Sequence, residues 1–131
     1  MTLEQIAQKL KTLKSAVIFC HMRPDGDAIG SAMGLKRLLS ACGVHCSVAC
    51  ESVIPEKFRF LPGTEEFSAP ADMQAEAFIA VDSSDENRLG KYGDLFAKAK
   101  KVKFNIDHHV SNTRYADHNY VEDVAATCEI V

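Results

Sequence analysis

The chain has 131 residues, of which 47% are hydrophobic and 25% are charged, and its formal net charge is −3. This composition predicts a single folded domain and excludes a disordered chain and a strongly basic nucleic-acid clamp. No apolar run approaches the ~20 residues of a membrane span, and no signal-peptide pattern is seen. The five cysteines are scattered without a Cys-x-x-Cys pair, which favours free, buried thiols in a cytoplasmic protein.

The first two predicted elements are a helix and a buried strand. The helix spans residues 2–12, because Thr2 and Gln5 form a capping-box pattern ahead of apolar residues at helical spacing. The strand is the continuous apolar run from Ala16 to Cys20, which is typical of a strand covered on both faces.

A long helix is predicted from Asp27 to Cys42, with Gly43 as its C-cap. Its expected apolar stripe consists of Ile29, Met33, Leu35, Leu38 and Leu39. The later predicted elements are strands over Val44–Cys50, Ala77–Val81, Val102–Ile106 and Asn119–Val121, a helical turn within Pro55–Gly63, and helices over Gly90–Lys98 and from Ala125 onwards. Strands that alternate with helices predict an α/β fold, with a mostly parallel sheet and helices on both faces.

Aspartate and histidine residues follow three of the predicted strands. They are His21, Asp25, Asp27, Asp82, Asp107, His108 and His109. Binding sites in α/β proteins form at the carboxyl ends of strands, so these side chains are expected to meet. A set of Asp and His ligands without thiolate suits divalent ions such as Mn²⁺, Mg²⁺, Fe²⁺, Co²⁺ or Zn²⁺, and the histidines favour Mn²⁺ over Mg²⁺. The set is large enough for two ions, which together would clamp a phosphoryl group.

Each acidic segment also has an ordinary structural explanation. Asp25 and Asp27 fit an Asp-Gly turn followed by a helix N-cap, and Asp82 fits a second capping loop. The pair His108–His109 is harder to explain in this way, because adjacent histidines have no common structural role. The recurrence of Asp or His after three strands favours the metal hypothesis for the set as a whole.

Three ordered motifs resemble those of the DHH phosphoesterase family. They are His21–Ser31, Val81–Asp85 and Ile106–His109, the last of which contains the Asp-His-His triplet that names the family. The residues of the first two motifs, together with the segment Ala126–Val131, are most similar to the bacterial oligoribonuclease and pAp-phosphatase (nanoRNase) branch. Cyclic-di-AMP phosphodiesterases share the core motifs but differ more around them.

The resemblance implies a centre with two Mn²⁺ ions, for which Co²⁺ or Mg²⁺ are alternatives. One ion would be bound by His21, Asp25 and Asp82. The other would be bound by Asp27, Asp82 and His108, so that Asp82 would bridge the two ions.

The resemblance also implies roles for residues beside the metals. His109 would contact the substrate phosphate, and Asp107 would orient the site, so both are assigned to catalysis. Arg88 is a weaker candidate for a phosphate contact, with a surface salt bridge as the alternative. Asp85 is expected to hold Arg88 or to cap the local turn.

Residues 1–131 are interpreted as an incomplete N-terminal catalytic domain. By the resemblance, a further metal-binding Asp and a C-terminal substrate-binding domain would follow, so this chain alone is expected to bind one ion well and to have little activity. The expected partners are that domain and a nucleotide or short oligonucleotide, with no membrane partner. Self-association into a homo-oligomer is left open.

The function implied is hydrolysis of short oligoribonucleotides, of 3′-phosphoadenosine 5′-phosphate, or of both, by a hydroxide that two metal ions activate. Hydrolysis of cyclic-di-AMP or another nucleotide by the same family is the first alternative. The others are a nucleotide-sensing module without turnover and an α/β interaction domain whose acidic loops are caps.

Overall fold

A parallel five-stranded sheet forms the centre of the computed structural model, which describes residues 1–68 and 71–131. Its strands are β1 (Ser15–Phe19), β2 (His45–Ala49), β3 (Ala77–Val81), β4 (Val102–Asp107) and β5 (His118–Val121). Their order in the sheet is β2-β1-β3-β4-β5, and every neighbouring pair is parallel. The predicted α/β fold with a mostly parallel sheet is therefore confirmed.

Within residues 1–68 and 71–131, three α-helices and four 3₁₀ segments accompany the sheet. The helices are α1 (Leu3–Lys11), α2 (Gly26–Ala41) and α3 (Gly93–Lys98), and the 3₁₀ segments are Glu56–Phe58, Thr64–Ser68, Glu86–Tyr92 and Thr127–Glu129. The predicted capping box of Thr2 and Gln5 is present at the start of α1. The N-cap of α2 is Asp25, whose carboxylate accepts the Ala28 N–H at 2.9 Å.

Helices cover both faces of the sheet, as predicted. One face buries Ile18, Ile79 and Phe104 against residues of α1 and α2. The other face packs Phe19 and Phe78 against α3, and Phe19 and Phe78 meet edge-to-face at a centroid distance of 4.9 Å. Burial of an aromatic side chain of this size contributes about 2–3 kcal/mol, so the sheet is stabilised from two sides.

Three sequence predictions about helices need correction. Leu38 is 52% exposed, because it lies 100° around the helix from the buried Leu39. The helix predicted over Gly90–Lys98 begins later, at Gly93, because Gly90 has a non-helical backbone, with φ +62° and ψ −129°, inside the preceding 3₁₀ segment. No α-helix begins at Ala125 in the described chain, where only the 3₁₀ segment Thr127–Glu129 forms.

The five cysteines are free thiols, and Cys20, Cys46 and Cys50 are buried while Cys42 and Cys128 are exposed. Within residues 1–68 and 71–131, no helix is long and apolar enough to cross a bilayer.

We expect Gly90→Ala to lower the free energy of unfolding by about 1–3 kcal/mol. Only glycine adopts this backbone conformation readily, and a methyl group at this position would overlap the Glu51 carboxylate. Gly34→Ala within α2 is the matched control, since its methyl group would meet Val131 at an ordinary 3.5 Å. The control should be neutral or gain up to about 1 kcal/mol. Urea unfolding measures both, and equal losses would contradict the conformational argument.

Candidate metal centre

The candidate centre lies where the strand order of the sheet reverses. After β1 the chain builds β2 on one side, and it then crosses to form β3 on the other side of β1. The connecting loops diverge at such a point and leave a crevice at the carboxyl ends of the strands. The seven predicted Asp and His residues all lie at or just beyond the carboxyl ends of β1, β3 and β4: His21, Asp25, Asp27, Asp82, Asp107, His108 and His109.

Asp82 occupies the middle of this group. Asp82 is only 2% exposed, and it has a left-handed backbone φ of +54° directly after the end of β3. One carboxylate oxygen, Oδ2, lies 3.6 Å from His21 Nε2, and the other, Oδ1, lies 3.4 Å from His108 Nε2. The two oxygens of one buried carboxylate therefore face two different histidines.

A second aspartate completes each half of the group. Asp25 Oδ1 lies 3.7 Å from His21 Nε2, and Asp27 Oδ2 lies 3.6 Å from His108 Nε2. Donor atoms of His21, Asp25 and Asp82 all lie within 4.8 Å of one another. The structure thus brings together the same two triads, sharing Asp82, that the family resemblance proposes as ligands.

The two histidines have the orientation expected of metal ligands. His21 Nδ1 lies 2.8 Å from the Met22 carbonyl, and His108 Nδ1 lies 2.9 Å from the Val124 carbonyl. A carbonyl only accepts, so Nδ1 carries the hydrogen and Nε2 faces the carboxylates. Distances of 3.4–3.7 Å from Nε2 to these oxygens are too long for good hydrogen bonds. A cation between nitrogen and oxygen suits this spacing, and the carbonyl partners are typical outer-shell contacts of metal-binding histidines.

The charges of the group also favour a cation. Among the ion pairs of the described residues, Asp25, Asp27 and Asp82 meet only histidines. Burial raises the pKa of Asp82 above its usual range, and the neighbouring carboxylates of Asp27 and Asp25 raise it further. Clustered carboxylates that form no ion pair with lysine or arginine are destabilising unless a cation neutralises them. The donor set therefore fits a divalent metal.

Thr127 is a contact of this site that the sequence analysis did not identify. It is fully buried, its hydroxyl donates to Asp82 Oδ1 at 3.0 Å, and its N–H donates to Asp27 Oδ2 at 2.9 Å. The Cys128 N–H donates to Asp27 Oδ1 at 2.9 Å. Burial opposes ionisation of Asp27, but these backbone N–H groups hold its pKa below the usual range. A carboxylate has about four lone-pair sites, so Asp27 can accept both hydrogen bonds and still bind a metal.

Asp107 and His109 form a separate pair at the rim of the centre. Asp107 is fully buried, and its Oδ1 lies 2.7 Å from His109 Nδ1. His109 Nδ1 is also 4.0 Å from Asp82 Oδ1. Donor atoms of Asp82, Asp107, His108 and His109 lie within 4.8 Å of one another, which gives a third geometric grouping in addition to the two triads.

Arg88 lines a cleft next to the His21 side of the centre, together with Met22, Arg23 and Asp25. Its carbonyl accepts the Met22 N–H at 2.7 Å, and the residue is exposed. The salt bridge with Asp85 that the sequence analysis left open is not among the ion pairs of the described residues. Asp85 instead caps the turn by accepting the Asn87 N–H at 2.8 Å.

Comparison with known proteins places this fold and site in a family. Residues 15–131 match the model of the DHH family, N-terminal domain, and the chain therefore belongs to the DHH family. Relatives named "Bifunctional oligoribonuclease and PAP phosphatase NrnA" occur in Thermus thermophilus, at 35% identity over 96% of this chain, and in Mycoplasma genitalium, at 32% over 91%. The chain spans 38% of the length of each. The family and branch predicted from the three motifs are confirmed.

A solved structure shares the fold. It is that of an exopolyphosphatase-related protein from Bacteroides fragilis, with a TM-score of 0.88 and 23% sequence identity. The match covers 98% of this chain and 41% of that protein.

We expect Thr127→Val to weaken Mn²⁺ binding by about 10–100-fold, the usual effect of losing an outer-shell partner. Valine keeps the shape of the side chain but removes the hydrogen bond to Asp82. Thr127→Ser is the matched control, because it keeps the hydroxyl and should retain most of the affinity. Isothermal titration calorimetry with MnCl₂ measures both variants, and an equal loss in the two would contradict the role of the hydroxyl.

The affinity for Mn²⁺ should rise between about pH 6 and pH 8, because histidine must lose its proton to bind a metal. The carboxylate of Asp82 raises the pKa of His21 above its ordinary value. Burial works against protonation of His108, but the Val124 carbonyl and nearby carboxylates still raise its pKa. Protons therefore compete with the metal at the acidic end of this range. Titrations at several pH values test this, and an affinity independent of pH would contradict it.

Proposed function

We propose that residues 1–131 form the N-terminal catalytic domain of a metal-dependent nucleotide phosphoesterase. Its substrates would be short oligoribonucleotides, 3′-phosphoadenosine 5′-phosphate, or both. The observation that carries the proposal is the sharing of buried Asp82 between two His–Asp pairs at the reversal of the strand order. Membership of the DHH family and the names of its relatives support the same reaction class.

Two divalent ions are proposed to bind this domain, with Mn²⁺ the first choice and Co²⁺ or Mg²⁺ the alternatives. His21, Asp25 and Asp82 would hold one ion, and Asp27, Asp82 and His108 the other. When bound, such ions lower the pKa of water and neutralise negative charge on a phosphoryl group. The protein's part is to keep both histidine Nε2 atoms turned inwards, which the Met22 and Val124 carbonyls favour, and to hold the Asp82 carboxylate, to which the Thr127 hydroxyl donates.

His109 is proposed to contact the phosphate of the substrate. Asp107 engages its Nδ1, so Nε2 is the ring atom available to a phosphate oxygen or to the leaving group. Hydrogen bonds aimed at developing charge are a large part of catalysis in such sites. The half-exposed ring is open to a substrate, whereas Asp107 is fully buried and orients the ring. Arg88 is proposed as a further phosphate contact from the adjoining cleft.

We further propose that substrate choice depends on a C-terminal substrate-binding domain, since the relatives are longer than this chain. Five free thiols support the proposal of a cytoplasmic location. Self-association stays a prediction.

The test compares two variants in the natural full-length protein. Asp82→Ala should abolish Mn²⁺ binding at both positions, because its carboxylate faces both histidines. His109→Ala should leave Mn²⁺ binding intact and lower turnover by about 10²–10⁴-fold. Calorimetry with MnCl₂ gives the binding, and release of product from pAp and from a diribonucleotide gives the turnover.

His45→Ala is the matched control, because His45 is an exposed residue at the start of β2. It should change neither binding nor turnover. Equal losses of binding in the Asp82 and His109 variants would refute the division of roles. Tight nucleotide binding without product release would favour a sensing module, and turnover of cyclic-di-AMP alone would favour the alternative substrate.

A further inference from the structure

We propose that Asn112 is a positioning residue for His109 and acts through Asp107. The inference rests on the proposed function only in so far as His109 is taken to contact substrate. Asn112 lies in the loop between β4 and β5, five residues after Asp107.

The orientation of the Asn112 amide is determined by its partners. Its Oδ1 accepts the backbone N–H of Arg114 at 2.6 Å. Its Nδ2 therefore points inwards, where it donates to Asp107 Oδ2 at 2.8 Å and to Asn105 Oδ1 at 2.7 Å. Because a backbone N–H can only donate, the reversed amide would place two donors against each other at Arg114 and two acceptors against each other at Asp107.

The two oxygens of Asp107 are each engaged by a different side chain. His109 Nδ1 meets Oδ1 at 2.7 Å, and Asn112 Nδ2 donates to Oδ2 at 2.8 Å. Asp107 is fully buried, so rotation of its carboxylate would leave a buried oxygen without a partner, at a cost of about 1–3 kcal/mol. Asn112 thereby holds the carboxylate in the plane that orients the His109 ring.

The network has a rigid base in the sheet. Asn105 is fully buried on β4, and its Nδ2 donates to the Ala80 and Ser83 carbonyls at 3.2 Å each. The Tyr115 hydroxyl also donates to the Ser83 carbonyl, at 3.1 Å. Through its hydrogen bond to Asn105, Asn112 is therefore linked to a network that connects β4 with the loop after β3.

The turn that carries Asn112 has a strained residue. Arg114 has a left-handed φ of +53°, a conformation that costs a non-glycine residue about 1–2 kcal/mol. This conformation accompanies the hydrogen bond from the Arg114 N–H to Asn112 Oδ1. The Asn112 N–H also donates to the His109 carbonyl at 3.1 Å, which closes the turn onto the histidine.

Among the hydrogen bonds of the described residues, none joins Asn112 to His21 or His108. His21 and His108 are held by the Met22 and Val124 carbonyls instead. Removal of the Asn112 amide should therefore disturb the His109 ring and leave metal binding unchanged. This separation distinguishes a positioning role from a general structural one.

The experiment is a double-mutant cycle in the natural full-length protein. Asn112→Ala should lower kcat by about 10–100-fold, with little change in KM and in Mn²⁺ affinity. In the His109→Ala background the same substitution should have no further effect, because residues that act through one group are not additive. The ¹⁵N chemical shifts of the His109 ring, measured without metal or substrate, should change in Asn112→Ala.

Asn119→Ala is the matched control. Asn119 donates to the Ala116 carbonyl at 2.7 Å and stabilises the same loop, but it has no contact with Asp107 among the described hydrogen bonds. It should leave both kcat and the His109 ring shifts unchanged. Asn112→Leu is the second variant if Asn112→Ala fails to fold, because it approximates the shape of the side chain and has no group that can donate to Asp107.

The possible outcomes separate this inference from the proposed function. Wild-type kcat and wild-type ring shifts in both Asn112 variants would overturn the inference, while a loss in His109→Ala would leave the proposed function standing. Multiplying losses in the double variant would also overturn it. Full turnover in His109→Ala would refute the proposed role of His109. In that case the ¹⁵N shifts of the His109 ring in the Asn112 variants would alone show whether Asn112 positions that ring.

Discussion

A buried carboxylate that forms no ion pair with a lysine or arginine of the described residues is the constraint on which the candidate centre depends. Asp82 is 2% exposed, its two oxygens face His21 and His108, and the Thr127 hydroxyl donates to Oδ1. Burial of a lone carboxylate costs several kcal/mol, and the left-handed backbone at this residue adds strain. A residue keeps such an unfavourable burial and backbone conformation where the surrounding structure holds it in place for a function. Here the surrounding structure that holds Asp82 is the sheet.

The register of the sheet places the loops that surround Asp82. Val81 pairs with Ile106 across β3 and β4, and the Asp82 N–H donates to the Ile106 carbonyl at 3.0 Å. Asp82 and Asp107 therefore leave the sheet at the same level. On the other side of β3, β1 ends at the same edge and delivers His21. Apolar packing on both faces holds these strand ends in place, so the geometry of the polar site follows from the hydrophobic core.

The sequence was informative wherever a signal is local. Local patterns are those of a few neighbouring residues, such as the capping box at Thr2, the buried strand Ala77–Val81 and the three family motifs. These patterns predicted the elements and the residues of the candidate site. Two kinds of information were not local. Thr127 contacts Asp27 across 100 positions of the chain, and Asn112 becomes informative only when the structure shows its partners.

One carboxylate oxygen of Asp25 takes part in two interactions. Its Oδ1 accepts the Ala28 N–H at the start of α2, and the same oxygen lies 3.7 Å from His21 Nε2. A helix alone would tolerate serine, threonine or asparagine here, because all of them are good N-caps. The negative charge beside His21 is supplied by aspartate alone among these residues. A replacement that satisfies the helix would therefore still remove the charge that faces His21, so folding and site electrostatics place different demands on this one residue.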